Sequence, residues 1–392
     1  MRILIVLTYY RPHASGLTIY AERLAKALVR SGHQVTVMTS QYARDLPLEE
    51  MDEGVRVVRV PVAFRVSKGV IMPLFGLTAT RLVAEHDWIQ LHLPQFDAAG
   101  VALRGRLWKK PTIITYHCDL RMPPGVLSWV ANQAIHLMNE LAAKFAHRIV
   151  TNTLDYAEHS PYLRRYLEKV RIISPPIVQP PVNSADLARF SRNSNPDDRH
   201  PVIGLASRFA TEKGIEVLLD ALPAILTEYP LSMVLFVGAH RKVVGEEGYF
   251  DRLYPRIQEF EKSGNWKFLG LIPDGEMPAF YASLDVLVLP SLNSTESFGF
   301  VQIEAMINGT PVVASDLPGV RQPVLMHEMG RIFPVGDPTA LAEGVIQILR
   351  NRAEYVRDPQ PIKNIYLPDS AAEAYEEVFK EISAELHTRR NR

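Results

Sequence analysis

The chain has 392 residues, with 43 Lys plus Arg balanced by 43 Asp plus Glu. That length suits two domains of ordinary size, and the zero formal charge excludes a global basic field for nucleic acid, though not a local patch. The single cysteine, Cys118, excludes an intrachain disulfide framework and fits a reducing compartment.

The opening "MRILIVLTYY" reads as a first strand, since its apolar run is too short for a secretory signal. No run reaches the roughly eighteen apolar residues of a spanning helix. The expectation is a cytoplasmic protein, with peripheral contact at the inner face of the cytoplasmic membrane left open. After "ILIVLT" comes a loop, then "TIYAERLAKALVRSGH", in which Tyr20, Leu24, Ala27 and Leu28 share one helical face. Gly32 fits a left-handed cap, and "QVTVMTS" is the next strand. A strand, helix, strand unit implies a parallel sheet with a right-handed crossover. The pattern continues through "VRVVRVPV", "WIQLHL", "TIITYH" and "RIVTNT". The segment "GVLSWVANQAIHLMNELAAKFAHR" reads as a helix with Trp129, Val130, Leu137, Met138, Leu141 and Phe145 as its apolar stripe.

Near residue 173 the composition turns to Pro, Ser, Asn and charge, which reads as a linker. A second series of strands follows: "VIGLAS", "MVLFVGA", "WKFLGL", "DVLVLP" and "PVVAS". The predicted division is a first α/β domain over 1–176, a linker over 177–200 and a second α/β domain over 201–367, with a terminal amphipathic helix over 368–392 packing back on the first. Doubly wound sheets bind ligands beyond the carboxyl ends of their strands, so the residues that follow strands are the ones to inspect.

In "PSLNSTESFGFVQIEAMING" a strand end leads through a polar loop into a helix from about Gly299. The N–H groups of Ser297, Phe298, Gly299, Phe300 and Val301 lie at a helix N-terminus, which favours an anion such as a diphosphate. Glu296 is either a first-turn acid or a ligand group. Glu304, set between Ile303 and Ala305, is either solvated or able to accept both hydroxyls of a ribose. In "GLASRFATEKGIEVLLDAL", Arg208 and Lys213 follow a strand and are either ordinary surface cations or a diphosphate clamp. Gly16, in the loop after the first strand, either makes the turn or admits a phosphate. The three spaced glycines of a dinucleotide fingerprint are missing. His117, after "TIITY", is either held by a carbonyl or placed to meet a sugar hydroxyl or shuttle a proton. Asp119 follows it. Cys118 reads as packing, neither nucleophile nor metal ligand.

Together these stretches resemble the retaining glycosyltransferases of family 4, of the glycosyl transferases group 1 type. Their fold is GT-B, two doubly wound Rossmann-like α/β domains facing across a cleft. The resemblance covers nearly the whole chain and is strongest over 202–324, above all in "PSLNSTESFGFVQIEAMINGTPVVASDLPGVRQPV". It implies that Arg208 and Lys213 clamp the donor diphosphate and that Glu304 holds the ribose. The backbone of Ser297 to Val301 then cradles sugar and phosphates, and Glu296 binds donor sugar hydroxyls. Gly16 lets its loop touch the diphosphate and His117 contacts the sugar near the reacting centre. Gly270 and Leu271 frame the base, and Gly238 ends a neighbouring strand. The chain departs from many relatives where Leu17 follows Gly16 and where Pro318 precedes Gly319.

The implied reaction moves a hexosyl group from a nucleoside diphosphate sugar, UDP favoured over GDP, to a sugar or lipid-linked acceptor in polysaccharide or glycolipid assembly. No Asp-x-Asp pair stands in a metal position, so no cofactor and no metal is expected, and electrostatic preorganisation carries the leaving group. The alternatives are a sugar-nucleotide epimerase-like enzyme, which consumes donor with no acceptor, and a non-catalytic sugar-nucleotide binding protein. An anionic membrane face is a further candidate partner. Arg65, Lys68 and Arg81 flank an apolar stretch, and Arg104, Arg106, Lys109 and Lys110 surround Trp108; the other reading is cations at a helix end and an apolar core run.

Overall fold

The structure, a computed structural model, describes residues 1–66, 69–120, 126–243 and 245–390. Contacts divide the chain into two compact units, Met1–Val178 with Ile365–Arg392, and Gln179–Asn364. The first contains β1 (Arg2–Val6), β2 (Gln34–Gln41), β3 (Glu49–Asp52), β4 (Val55–Pro61), β5 (Phe64–Val66), β6 (Gly69–Ile71), β7 (Trp88–Leu93), β8 (Thr112–Tyr116), β9 (Arg148–Thr151) and β10 (Val170–Ile172). Eight of these form one sheet in the order β10-β9-β8-β7-β1-β2-β4-β3, and β5 pairs with β6. The large sheet is parallel except for its edge strand β3, which runs antiparallel to β4.

β7 is buried along its whole length, as expected of a central parallel strand covered on both faces. The two faces differ in chemistry. Ile89, Leu91 and Leu93 join Ile114 and Tyr116 in an apolar cluster with Leu82 and Val101. The alternate residues Trp88, Gln90 and His92 point the other way, by the two-residue period of a strand. On that side Trp88 stacks on Phe379 at 4.6 Å between ring centroids. Helix Gly16–Arg30 buries Tyr20, Leu24, Ala27 and Leu28, the face read from the sequence.

Phe379 belongs to helix Pro368–Arg390, which lies in the first unit although the whole second unit precedes it in sequence. The approach is tied by the Ile177 N–H to the Tyr366 carbonyl, at 2.8 Å. Further along, Glu381 accepts from Arg148 and from Arg171, each at 2.8 Å. Helix Val126–Phe145 corrects one expectation. Leu137 of the predicted stripe is exposed, whereas Met138, Leu141 and Phe145 are half-buried, Phe145 against the apolar cluster, and Asn139, Ala142 and Ala143 are the buried positions among the described side chains. Lys68 and the side chains of Trp129 and Val130 lie outside the described residues.

The second unit contains β11 (Val202–Ala206), β12 (Met233–Val237), β13 (Trp266–Gly270), β14 (Val286–Leu289), β15 (Val312–Ser315) and β16 (Gly330–Phe333). Their order is β13-β12-β11-β14-β15-β16, all parallel. β12 lies on one side of β11 and β14 on the other, so the winding reverses between β11 and β14. Within 177–200 the chain forms helix Ser184–Ser194, started by the Asn183 side chain accepting from the Asp186 N–H at 2.8 Å.

Phe379→Ala should remove the stacked ring beneath Trp88 and destabilise the first unit by about 3–5 kcal/mol. The expected readout is a lowered melting temperature together with new protease cleavage within 368–390. A helix that stays protected would contradict this account of how the C-terminal segment is held.

Candidate active site

The loops that follow β11 and β14 carry the residues singled out in the second unit. They are fastened to each other by backbone. The Leu292 N–H donates to the Glu212 carbonyl at 2.9 Å. Gly214 has φ +64°, and a Cβ there would stand 2.0 Å from the Pro290 carbonyl oxygen, so only glycine lets the loops close to this distance. The 3-10 turn Thr211–Lys213 then aims Lys213 across the strand boundary. Its Nζ donates to Glu296 Oε2 at 2.5 Å, and both side chains are largely buried. Arg208, half-exposed, pairs with Glu212 at 2.9 Å. Each cation of the expected clamp is therefore already opposed by a carboxylate.

Helix Phe300–Ile307 begins after Gly299, which has φ +79°. A Cβ at Gly299 would lie 2.4 Å from Leu289 Cδ2 and 2.8 Å from Gln302 Nε2, so internal packing alone requires the glycine. Gln302, fully buried, fixes this entry by donating to the Phe298 carbonyl at 2.8 Å and the Val320 carbonyl at 2.9 Å. Ser297, Phe300 and Val301 are half-buried, while the Phe298 side chain is in the core. Glu304 is buried, and the Tyr281 hydroxyl donates to its Oε2 at 2.8 Å. The solvated alternative is thereby excluded. Tyr281 was not singled out in the sequence, where it carried no signal beyond an aromatic on a short helix.

Gly238 ends β12, and a Cβ there would be 1.9 Å from the Ser207 carbonyl oxygen. Its N–H donates to the Gly270 carbonyl at 2.8 Å. Gly270 has φ +71° with open space at its Cβ position, and Leu271 beside it is 80% exposed. An exposed leucine after a left-handed glycine is a surface that a planar apolar group could cover.

Gly16 and His117 belong to the first unit. Gly16 is the first residue of its helix, whose N-cap Ser15 accepts from the Thr18 N–H; the expected start near Thr18 falls two residues late. His117 is buried after β8, its Nε2 bonded to His92 Nδ1 at 2.8 Å. Burial pushes the His117 pKa down to about 3. Burial first, and then the neighbouring His117, hold His92 well below the usual imidazole range. His117 is thus one half of a neutral pair. Sequence reading missed His92, though the alternation in "WIQLHL" places Gln90 and His92 on one face. Asp119 is a hub of the following loop. Its carboxylate accepts from Tyr116 at 2.8 Å, Ser160 at 2.8 Å and Tyr156 at 3.1 Å. Among the described residues no group of His, Cys, Asp and Glu is placed to hold a metal ion.

Two family models match the chain, Glycosyl transferase 4-like domain over residues 15–176 and Glycosyl transferases group 1 over residues 188–363. The phosphatidyl-myo-inositol mannosyltransferase of Mycolicibacterium smegmatis is 28% identical over 364 residues, covering 91% of this chain and 87% of that protein. Among solved structures, HepE of Anabaena in complex with UDP has a TM-score of 0.74 at 20% identity, covering 97% of this chain and 100% of that one. Sucrose-phosphate synthase of Thermosynechococcus elongatus has a TM-score of 0.73 at 22% identity, covering 98% and 99%. The fold is GT-B, with two Rossmann-like domains. The chain belongs to the group 1 glycosyltransferases of the family 4 type.

The neutral histidine pair has a pH signature. A free His titrates near 6.5, so between about pH 6.5 and 3 the unfolded chain binds the proton that folded His117 refuses. Stability should therefore fall as pH drops through that window, by about 3 kcal/mol from pH 7 to pH 4 for this one group. Asp97, whose pKa burial raises to about 6, acts in the opposite direction. Comparing urea unfolding of the native chain and His117→Gln at each pH isolates the histidine part, and equal pH slopes would show that His117 is not held neutral.

Proposed function

We propose that the protein is a retaining hexosyltransferase that takes sugar from a nucleoside diphosphate donor, UDP-linked in the first instance, and passes it to a sugar or lipid-linked acceptor in polysaccharide or glycolipid assembly. The observation that carries this reading is the Lys213–Glu296 pair, 2.5 Å long, set where the winding of the second sheet reverses and beside the start of helix Phe300–Ile307. Doubly wound sheets take ligands at such reversals. A helix start favours an anion, Lys213 supplies charge, and Glu296 supplies an acceptor for sugar hydroxyls. The HepE complexes with UDP and with UDP-glucose support a UDP-sugar donor. The name of the mycobacterial relative supports a lipid-linked acceptor.

In the proposed step the bond from the anomeric carbon to the diphosphate oxygen breaks and a bond to the acceptor oxygen forms on the same face. The acceptor proton passes to the departing phosphate oxygen. Charge on the leaving group is met by Lys213, Arg208 and the backbone donors at 297–301, with no metal required. Glu296 remains a binding group; the two-carboxylate scheme of retaining glycoside hydrolases does not describe this step. Glu304, oriented by Tyr281, is assigned to the ribose, and Gly270 with Leu271 to the base. The acceptor is assigned to the first unit, with His117 on its reacting side and Gly16 on the diphosphate.

No helix among the described residues is long and apolar enough to cross a membrane. Peripheral contact with an anionic cytoplasmic face belongs to the same proposal. Leu77, Leu107 and Trp108 are exposed, as are Arg106 and Lys109. Arg104 does not contribute, because its guanidinium is bonded to Thr80 at 2.8 Å and to the carbonyls of Gly100 and Gly76.

Lys213→Ala should remove about 2–4 kcal/mol of transition-state stabilisation, well over tenfold in kcat. Turnover of UDP-sugars in the presence of EDTA should match turnover without it. Unchanged kcat in the variant would remove the diphosphate clamp, and loss of activity in EDTA would remove the metal-free step.

A further inference from the structure

We propose that Tyr375, on the C-terminal helix, is a positioning residue for the His92–His117 pair, which makes the last helix of the chain part of the acceptor side of the enzyme. The proposal rests on the functional reading above for its kinetic consequence and on bond geometry for its structural one. Tyr375 is fully buried. Its hydroxyl lies 2.7 Å from Thr115 Oγ1 and 3.0 Å from the Tyr20 hydroxyl. Gln90 Nε2 donates to Thr115 Oγ1 at 2.9 Å. Each of these hydroxyls has one hydrogen to give and two lone pairs, and the result is a continuous chain of hydrogen bonds from β7, through β8 and the C-terminal helix, to helix Gly16–Arg30.

This chain runs directly beneath the histidines. Gln90 is two residues before His92 on β7, and Thr115, on β8, is two residues before His117, whose N–H continues the ladder to the Leu93 carbonyl, so each pair shares a face. Thr115 is also the register partner of His92. The Tyr20 ring stands edge-on to His117 at 5.0 Å and 85°, and to His92 at 5.9 Å and 71°. The Tyr375 hydroxyl thus meets the hydroxyl end of the ring that stands against both imidazoles. Apolar residues of the same shape would serve stability about as well. What hydrogen bonds add in a buried place is direction.

The same geometry selects a tautomer. Among the described residues His92 Nε2 is buried with no hydrogen-bond partner. An orphaned buried N–H is rarer than an orphaned acceptor, which puts the His92 hydrogen on Nδ1, donating to His117 Nε2. His117 then carries its own hydrogen on Nδ1. It can give a hydrogen bond to a substrate oxygen, and it does not act as the base, in keeping with a proton that leaves on the phosphate.

The test uses the full chain with 15N-labelled histidine, imidazole signals being assigned from His92→Gln and His117→Gln. The native protein should show both rings neutral, with His117 protonated at Nδ1. Tyr375→Phe should move both sets of imidazole nitrogen signals and lower kcat about ten- to a hundredfold, with the KM for donor unchanged. Should Tyr375→Phe fail to fold, Thr115→Val removes the other bond to the same hydroxyl and is read in the same way. Imidazole signals that coincide with the native ones in a folded variant would overturn the proposal, as would a native His117 protonated at Nε2. Shifted signals in a protein without sugar-transfer activity would uphold the network and retire the functional reading.

Discussion

The ion pair between Lys213 and Glu296 joins two loops that are more than eighty residues apart in sequence, at 83 positions. It exists because β11 and β14 are neighbours in the sheet while their connections run to opposite sides. Carboxyl ends of parallel strands at such a reversal are left uncovered by the crossovers. The pair is largely screened from solvent, so its charges interact more strongly than a surface pair would. A partly buried ion pair is nevertheless a poor device for stability, since both ions lose hydration to form it. What it does is hold two charged groups in fixed places at the carboxyl ends of two neighbouring strands.

Backbone does the rest of the placement. Gly214 lies against the Pro290 carbonyl and Gly238 against the Ser207 carbonyl, each at about 2 Å from where a Cβ would be. These contacts draw the ends of β11, β12 and β14 together so closely that any side chain at either glycine would part them. Gly299 is confined in the same manner by Leu289 and Gln302. Glycines in the loops of this family type invite a ligand explanation; here, packing within the unit already requires three of them. Gly270 differs from these three in having open space at its Cβ position.

Much of this was legible in the sequence because it is written locally. The long parallel strands are runs of buried β-branched residues, and the loops that follow them are marked by glycine and charge. Less was legible where the deciding contact lies far along the chain. Nothing near Tyr375 signals that its hydroxyl meets Thr115, 260 positions away, or Tyr20, 355 positions away. Helix Val126–Phe145 was read by bulk, and Leu137 of that reading is exposed while Ala142 and Ala143, which carried no signal, are fully buried. Strands β5, β6 and β10 have three residues each, too few to show a period, and β3 (EEMD) and β16 (GRIF) lack the apolar β-branched runs that mark the equally short β9, β14 and β15. Arg104 counted as a surface cation by sequence, yet its bonds to Thr80, Gly76 and Gly100 make it a structural tie. Charge is read easily from a sequence, and its partners are not.

The two units place different kinds of polar group at their strand ends. In the second unit the groups at the strand ends are ionised and opposed, Lys213 by Glu296 and Arg208 by Glu212. A diphosphate brings charge of its own, and a site of paired ions can exchange one carboxylate for phosphate without ever leaving a cation bare. In the first unit the Asp119 carboxylate is enclosed by three hydroxyls, and the two histidines at the strand ends are neutral. His92 and His117 are kept so by burial, above a column of hydroxyls and an amide that carry no charge either. A sugar hydroxyl is uncharged, and a charged partner for it would have to be stripped of water for little return. A neutral imidazole loses less hydration and still fixes the direction of one hydrogen bond. The polar column in the first unit extends back to helix Pro368–Arg390, while the ion pair of the second unit spans two loops.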